Sequence, residues 1–255
     1  MNDTPKGKLY LVPAPLDFGC DNQAPLADVM PLATLRAAAR LPSWICENAK
    51  STRAYLKRVN ELEPLSQTIQ TLQIQELPRE VHKKGDHGGN FDARPLLAPA
   101  LQGIDMGLVS EAGMPAIADP GSSVVRAAHD LGIQVVALTG PMSLVLALAA
   151  SGLNGQNFGF VGYLPQEGGE RVQRIRELES LALKTGQTQI FIETPYRNTA
   201  LLQALLQTLQ TNTRLALSCG LTLDKCWSYS AQVSMWKKTK PAAPLDLPAV
   251  FCLGR

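Results

Sequence analysis

The sequence predicts an α/β protein of two domains, a parallel-sheet domain over residues 1–139 and a mixed-sheet domain over residues 140–255. Three observations carry that expectation. The chain has 255 residues, enough for two modest domains that each bury a core. Between residues 106 and 151, an apolar run, a glycine- and proline-rich loop and a helical pattern occur twice in succession. That order is the signature of parallel strands joined by right-handed crossovers. Beyond residue 157 the pattern changes to strands interleaved with more polar helices, beginning with the aromatic FGFVGY over 158–163.

Composition narrows the class. The hydrophobic fraction is 45% and the charged fraction 18%, the profile of a globular protein. No run of eighteen uncharged apolar residues predicts a transmembrane helix, and the opening MNDTPKGKLYLVPAP lacks the apolar core and cleavage site of a signal peptide. The cysteines, Cys20, Cys46, Cys219, Cys226 and Cys252, are odd in number, scattered and without a CxxC pair. The histidines are not placed with them at ligand spacing, so no metal site is expected and a reducing cytoplasmic compartment is the simplest fit. A net charge of +2 does not mark a dedicated nucleic-acid binder, although a local basic face stays open.

Residues 8–12 (KLYLV) end at Pro13-Ala14-Pro15 and predict a first strand, followed by the loop LDFGCDNQAP with Gly19 as its hinge. Residues 31–41 (PLATLRAAARL) predict a helix with Pro31 near its first turn, and SWIC over 43–46 a second strand. Residues 47–58 (ENAKSTRAYLKR) predict a helix on which Lys50, Arg53 and Lys57 share a face, with Arg58 beside them. Such a stripe can track phosphates or simply face solvent. Residues 72–77 predict a third strand. Residues 82–90 (HKKGDHGGN) predict a polar loop whose His82 and His87 face solvent or substrate, and 95–102 a weak helix. A strand over 106–109 leads to a helix over 122–131, capped by Asp119 or Ser122 and stopped at Gly132. A buried strand follows over 133–138, then an apolar helix over 142–150 expected to be covered on most faces. In the second half, helices are expected over 170–184 and 198–209, and strands over 158–163, 188–192, 215–219, 227–236 and 244–253.

Two loops point to a site. Residues 110–121 pass through Gly113, Pro115, Pro120 and Gly121, and residues 139–143 through Gly140-Pro141. Both leave the carboxyl ends of predicted parallel strands, the edge at which such sheets bind ligands. The glycines allow close backbone approach and the prolines stiffen the path. No GxGxxG follows the first strand, which argues against a dinucleotide-dependent dehydrogenase.

Six segments, in order, carry a resemblance: LYLVPAPL (9–16), ENAKSTRAYL (47–56), LVSEAGMPAIADPG (108–121), VVALTGPMSLVLALAASGL (135–153), FGFVGYLP (158–165) and IFIETPYRN (190–198). Together they resemble the tetrapyrrole-methylase superfamily, the class III S-adenosylmethionine-dependent methyltransferases. Within it the chain is most similar to the family that 2′-O-methylates a cytidine of small-subunit ribosomal RNA, as a divergent member. The resemblance implies a site in the cleft between two α/β domains, with S-adenosylmethionine as cofactor, S-adenosylhomocysteine as product and no metal. It also implies a cytoplasmic homodimer without membrane attachment, acting on ribosomal RNA or the small ribosomal subunit.

Carried over by motif position, the cofactor residues are Pro13, Ala112, Gly113, Met114, Ile117, Met142, Ser143 and Glu193. The first domain would hold substrate and part of the cofactor, and the second the rest. Glu47 is the candidate acid/base or substrate-orienting group, or else a carboxylate stabilised at a helix start. Lys50 and Arg53 are the candidate substrate contacts. The family's Glu-Asp-Thr-Arg is here Glu47-Asn48-Ala49-Lys50, its Arg-Glu-Leu-Thr-Lys is Cys219-Gly220-Leu221-Thr222-Leu223, and the aspartate of its Ser-Asp-Ala-Gly is Glu111. The substrate-facing residues are thus altered while the cofactor residues are largely kept. Two alternatives stay open: a tetrapyrrole or other small-molecule acceptor, and a non-catalytic, ribosome-associated S-adenosylmethionine-binding protein.

Overall fold

The structure, a computed structural model, describes residues 5–88 and 91–255. Gly89, Asn90 and the side chains of His82, Lys83 and Lys84 lie outside the described residues. The chain forms two compact units, one through Gly19 with Gln23–Pro141 and one of Cys20–Asn22 with Met142–Arg255.

The first unit is built on a parallel sheet of β1 (Leu9–Leu11), β2 (Ser43–Cys46), β3 (Gln73–Glu76), β4 (Met106–Val109) and β5 (Val135–Ala137), in the order β3-β2-β4-β1-β5. The connecting helices are α1 (Leu26–Val29), α2 (Leu32–Arg40), α3 (Ala49–Leu62), α4 (Arg79–Lys84), α5 (Ala98–Leu101) and α6 (Ser122–Asp130). Side chains alternate across the sheet. On β2, Trp44 and Cys46 join one core with Leu35, Leu56 and Val59, while Ile45 joins the other with Leu97, Leu108 and Val124. With both faces covered, the inner strands read as continuous apolar runs. Trp44 lies against β4 where Gly107 has no side chain, and a Cβ there would meet the indole at 2.6 Å. The strand order sets the loops after β4, β1 and β5 side by side at one edge.

The second unit carries a mixed sheet of β6 (Phe158–Tyr163), β7 (Thr188–Glu193), β8 (Arg214–Cys219), β9 (Trp227–Gln232) and β10 (Ala249–Gly254), ordered β6-β7-β10-β8-β9. Only β6 and β7 pair in parallel. Its helices are α7 (Ser143–Ser151), α8 (Gly168–Thr185), α9 (Asn198–Thr208) and α10 (Val233–Thr239). One face packs Ile175, Leu201, Leu205 and the stacked Phe191–Phe251 rings; the other packs Leu144, Ala147 and Leu148 of α7. The two-domain α/β architecture is the one expected.

Five local expectations change, the first being that the strand expected over 244–253 starts only at Ala249. The strand over 133–138 is short and only half-buried, because β5 is an outer strand. Helix α7 buries Leu144, Ala147 and Leu148 but leaves Val145 and Leu146 exposed, so one face is covered rather than most. The run over 227–236 stops as a strand at Gln232, because Val233 and Trp236, three residues apart, bury together from α10. Finally, the expected loop over 82–90 begins inside α4, and Gly85 ends that helix. Among the described residues no helix is long and apolar enough to cross a membrane.

Candidate functional site

The three loops at the carboxyl edge of the first sheet are locked to one another. Ala14 and Gly113 exchange two backbone hydrogen bonds of 2.9 Å, tying the loop after β1 to the loop after β4. A Cβ on Gly140 would lie 2.4 Å from Cβ of Pro13, so the loop after β5 can pass there only as glycine. A Cβ on Gly113 would meet Leu16 at 3.3 Å and the Pro141 carbonyl at 3.8 Å. Small residues and open backbone, rather than charged side chains, therefore form this edge.

The loop after β4 is strained. Gly113, Ala116, Ala118 and Gly121 have φ of 72°, 64°, 66° and 137°. The two alanines carry a Cβ in the left-handed region, at about 1–2 kcal/mol each. Strain of this kind gathers at ligand sites and persists when the surroundings over-determine it. Asp86 supplies part of that determination. Its buried carboxylate accepts from the amides of Gly121 and Ser123 at 2.9 Å and from the hydroxyls of Ser122 and Ser123 at 2.8 and 2.5 Å. Neither Asp119 nor Ser122 caps α6; a carboxylate from the loop after α4 does. Burial pushes Asp86 up, but the hydrogen bonds from Ser123, Ser122 and Gly121 outweigh it and hold the carboxyl below its ordinary value.

Three carboxylates gather beside this loop. Glu47 is not in α3, whose N-cap is Asn48, accepting from the amides of Lys50 and Ser51. Its Oε2 instead accepts from the Glu111 amide at 3.0 Å, holding the start of the loop. Ser51 donates to Oε1 of Glu111 at 3.3 Å. Asp119, at the far end, is pushed up to about 7, first by burial and then by the charges of Glu47 and Glu111. A carboxyl poised near neutrality can accept a proton under ordinary conditions. The sequence singled out neither Asp119 as a proton acceptor nor Asp86 as the anchor of the loop: glycines and prolines mark the loop of Asp119, and histidines drew attention in the loop of Asp86.

The sequence-predicted residues are distributed as follows. Pro13, Ala112, Gly113, Met114 and Ile117 lie on the interlocked loops of the first unit, with Ile117 41% exposed. In the second unit Met142 is the N-cap of α7 and Ser143 its first residue. Glu193 ends β7, buried, with its Oε1 accepting from Arg197 at 2.9 Å and from the Thr194 amide at 2.8 Å. Lys50, Arg53 and Lys57 are exposed on α3. Arg58 is not part of their stripe: it donates to both oxygens of Asp17, at 3.1 and 3.0 Å. His87 is exposed, as expected of a solvent-facing loop residue. Among the described residues no group of three or more His, Cys, Asp or Glu side chains could hold a metal ion.

The family described as Tetrapyrrole (Corrin/Porphyrin) Methylases matches residues 28–225. A ribosomal RNA small subunit methyltransferase I from Mesorhizobium japonicum is 32% identical over 215 residues, covering 84% of this chain and 63% of that protein. Its namesake from Vibrio cholerae is 36% identical over 137 residues, covering 54% and 46%. The chain thus spans about half to two thirds of these curated relatives. Among solved structures, the uroporphyrin-III C-methyltransferase of Thermus thermophilus complexed with S-adenyl homocysteine superimposes with a TM-score of 0.52 at 19% identity, covering 98% of each chain. That likeness shows the fold, and the extent of the family match, together with the order of the loops, shows that the chain belongs to the tetrapyrrole methylase family.

Proposed function

We propose that the protein transfers the methyl group of S-adenosylmethionine to a ribose 2′-oxygen of small-subunit ribosomal RNA. The observation that carries this is the strained loop after β4, with Asp119 near neutrality between its glycines and beside Glu47 and Glu111. The names of the curated relatives support the RNA acceptor. The residues fit the cofactor. Its uncharged parts suit an edge of backbone and small side chains, and its cationic sulfonium and ammonium groups suit a cluster of carboxylates.

S-adenosylmethionine, when bound, supplies a methyl group already activated on a sulfonium. Pro13, Ala112, Gly113, Met114 and Ile117 would hold it, and Met142, Ser143 and Glu193 are the further cofactor contacts proposed. Asp119 would accept the proton of the substrate hydroxyl, leaving its oxygen free to take the methyl group. Glu47 acts through position, fixing the Glu111 amide and keeping Asp119 basic enough for that task. Lys50 and Arg53 contact substrate phosphates. The protein works in the cytoplasm as a homodimer.

The test is methyl transfer from labelled S-adenosylmethionine to small ribosomal subunits and their RNA, with mass spectrometry of ribosomal RNA from cells with and without the gene. A 2′-O-methyl mark that disappears with the gene is the expected result. Transfer to a small molecule instead, or cofactor binding without any transfer, would overturn it.

A further inference from the structure

A cavity of about 220 Å³ opens within the first unit, with Asp17, Phe18, Tyr55, Arg58, Ser110 and Glu111 among its walls. Part of the wall is fixed. Arg58 grips both oxygens of Asp17 and donates to the Ala24 carbonyl at 2.6 Å, while Asp17 accepts from the Ala24 amide at 3.1 Å. Those bonds clamp the loop after β1 onto α3. Tyr55 and Ser110 are only 6% and 5% exposed, yet Tyr55 Oη and Ser110 Oγ are buried with no hydrogen-bond partner. Buried hydroxyls are rarely left so; both residues line the cavity with their oxygens covered by its wall, and a ligand with a hydrogen-bonding edge that displaces the wall enough to uncover them gives each a partner.

Size limits the ligand. A cavity of about 150 Å³ holds one benzene ring, so this one has room for a single heterocycle and none for a tetrapyrrole macrocycle. Phe18, 47% exposed, supplies an aromatic ring at the wall on which a planar base can stack. Helix α3 connects the cavity to a charged surface: Ser51, Tyr55 and Arg58 line it, while Lys50, Arg53 and Lys57 are exposed on the same helix. Those three cations extend over about 10 Å of helix axis.

We propose that this cavity receives one unstacked base of single-stranded RNA, with Tyr55 and Ser110 hydrogen-bonding its edge and Lys50, Arg53 and Lys57 carrying the adjoining phosphates. The proposal rests on the RNA acceptor proposed above. It is tested by equilibrium binding of a short single-stranded RNA to the full chain across a salt series, alongside thermal unfolding. Tyr55→Phe and Ser110→Ala should each weaken binding about tenfold, with the salt slope unchanged and the melting temperature not lowered, since each removes an unpaired hydroxyl. Arg53→Ala should instead shrink the salt slope by about 0.7. Equal affinity in wild type, Tyr55→Phe and Ser110→Ala, or no binding by the wild type, overturns the proposal. If the wild type methylates ribosomal RNA while both hydroxyl variants bind RNA normally, the cavity proposal fails and the function stands. If both variants lose RNA affinity but no methyl transfer occurs, the function fails and the cavity proposal stands.

Discussion

Asp119 titrates near neutrality because burial withholds water from its carboxylate and Glu47 and Glu111 add negative charge beside it. In the unfolded chain the same group has its ordinary value of 3.8, so between that pH and about 7 the folded protein holds a proton that the unfolded chain has released. The group therefore favours folding fully below the unfolded value and loses that contribution as pH rises through about 7. Asp119→Asn should stabilise the protein at pH 8 by about 2 kcal/mol, roughly half the unscreened value because the group is partly exposed. The gain should shrink toward zero below pH 4, which thermal unfolding at several pH values measures. The same substitution removes the proton acceptor and should lower kcat by at least about 100-fold. Wild-type turnover should rise with pH through about 7. Asp86 has the opposite sign: its carboxyl lies below the ordinary value, so its contribution is present above that value and lost as pH falls through the folded one. Asp86→Ala strands the buried amides of Gly121 and Ser123 and should cost about 2–4 kcal/mol in urea unfolding, with Asp86→Asn in between.

Helix α3 presents a different chemistry on each face. Tyr55, Leu56 and Val59 are buried, Lys50, Arg53 and Lys57 are exposed, and Arg58 turns to Asp17, whose side chain is only 4% exposed. Arg58→Met leaves that carboxylate buried and unpaired, and the expected loss is about 3 kcal/mol. Lys57→Met should stay within about 0.5 kcal/mol of wild type in the same urea titration. The sequence showed the basic stripe because helical spacing is a local property, but it grouped Arg58 with the stripe because the partner lies forty-one positions away. The same division runs through the element assignments. SWIC over 43–46 and MGLV over 106–109 were legible to the residue, because inner parallel strands are short, apolar and bounded by breakers. The cap of α6 was not, because the Asp86 carboxylate reaches it from thirty-five positions upstream. Burial of β5 and α7 was overestimated because apolar composition says that a face will be covered, not how many faces are.

At the scale of the whole molecule, the residues proposed for the cofactor fall in two stretches of chain: Pro13, Ala112, Gly113, Met114 and Ile117 lie in the first unit, and Met142, Ser143 and Glu193 in the second. Motif order made the two-domain architecture legible, because it records how strands and crossovers alternate. The carboxylate cluster was hidden, because Glu47, Glu111 and Asp119 are brought together only by the pairing of β2 with β4. A ligand that binds the folded chain alone stabilises it by mass action, about 2.7 kcal/mol at a hundredfold excess over Kd. S-adenosylhomocysteine should therefore raise the melting temperature and slow amide exchange in two separate segments, 111–121 and 142–148. The second segment is the discriminating one, because the glycine edge of the first unit could bind a nucleoside by itself. Slowed exchange in 111–121 alone would remove Met142 and Ser143 from the site while leaving the first-unit loops in place. No change in either segment at saturating ligand would remove the cofactor assignment, and with it the role given to Asp119. Slowing in both should be lost in Gly113→Val, whose larger side chain crowds Leu16 and the Pro141 carbonyl, if the two segments answer to one bound molecule.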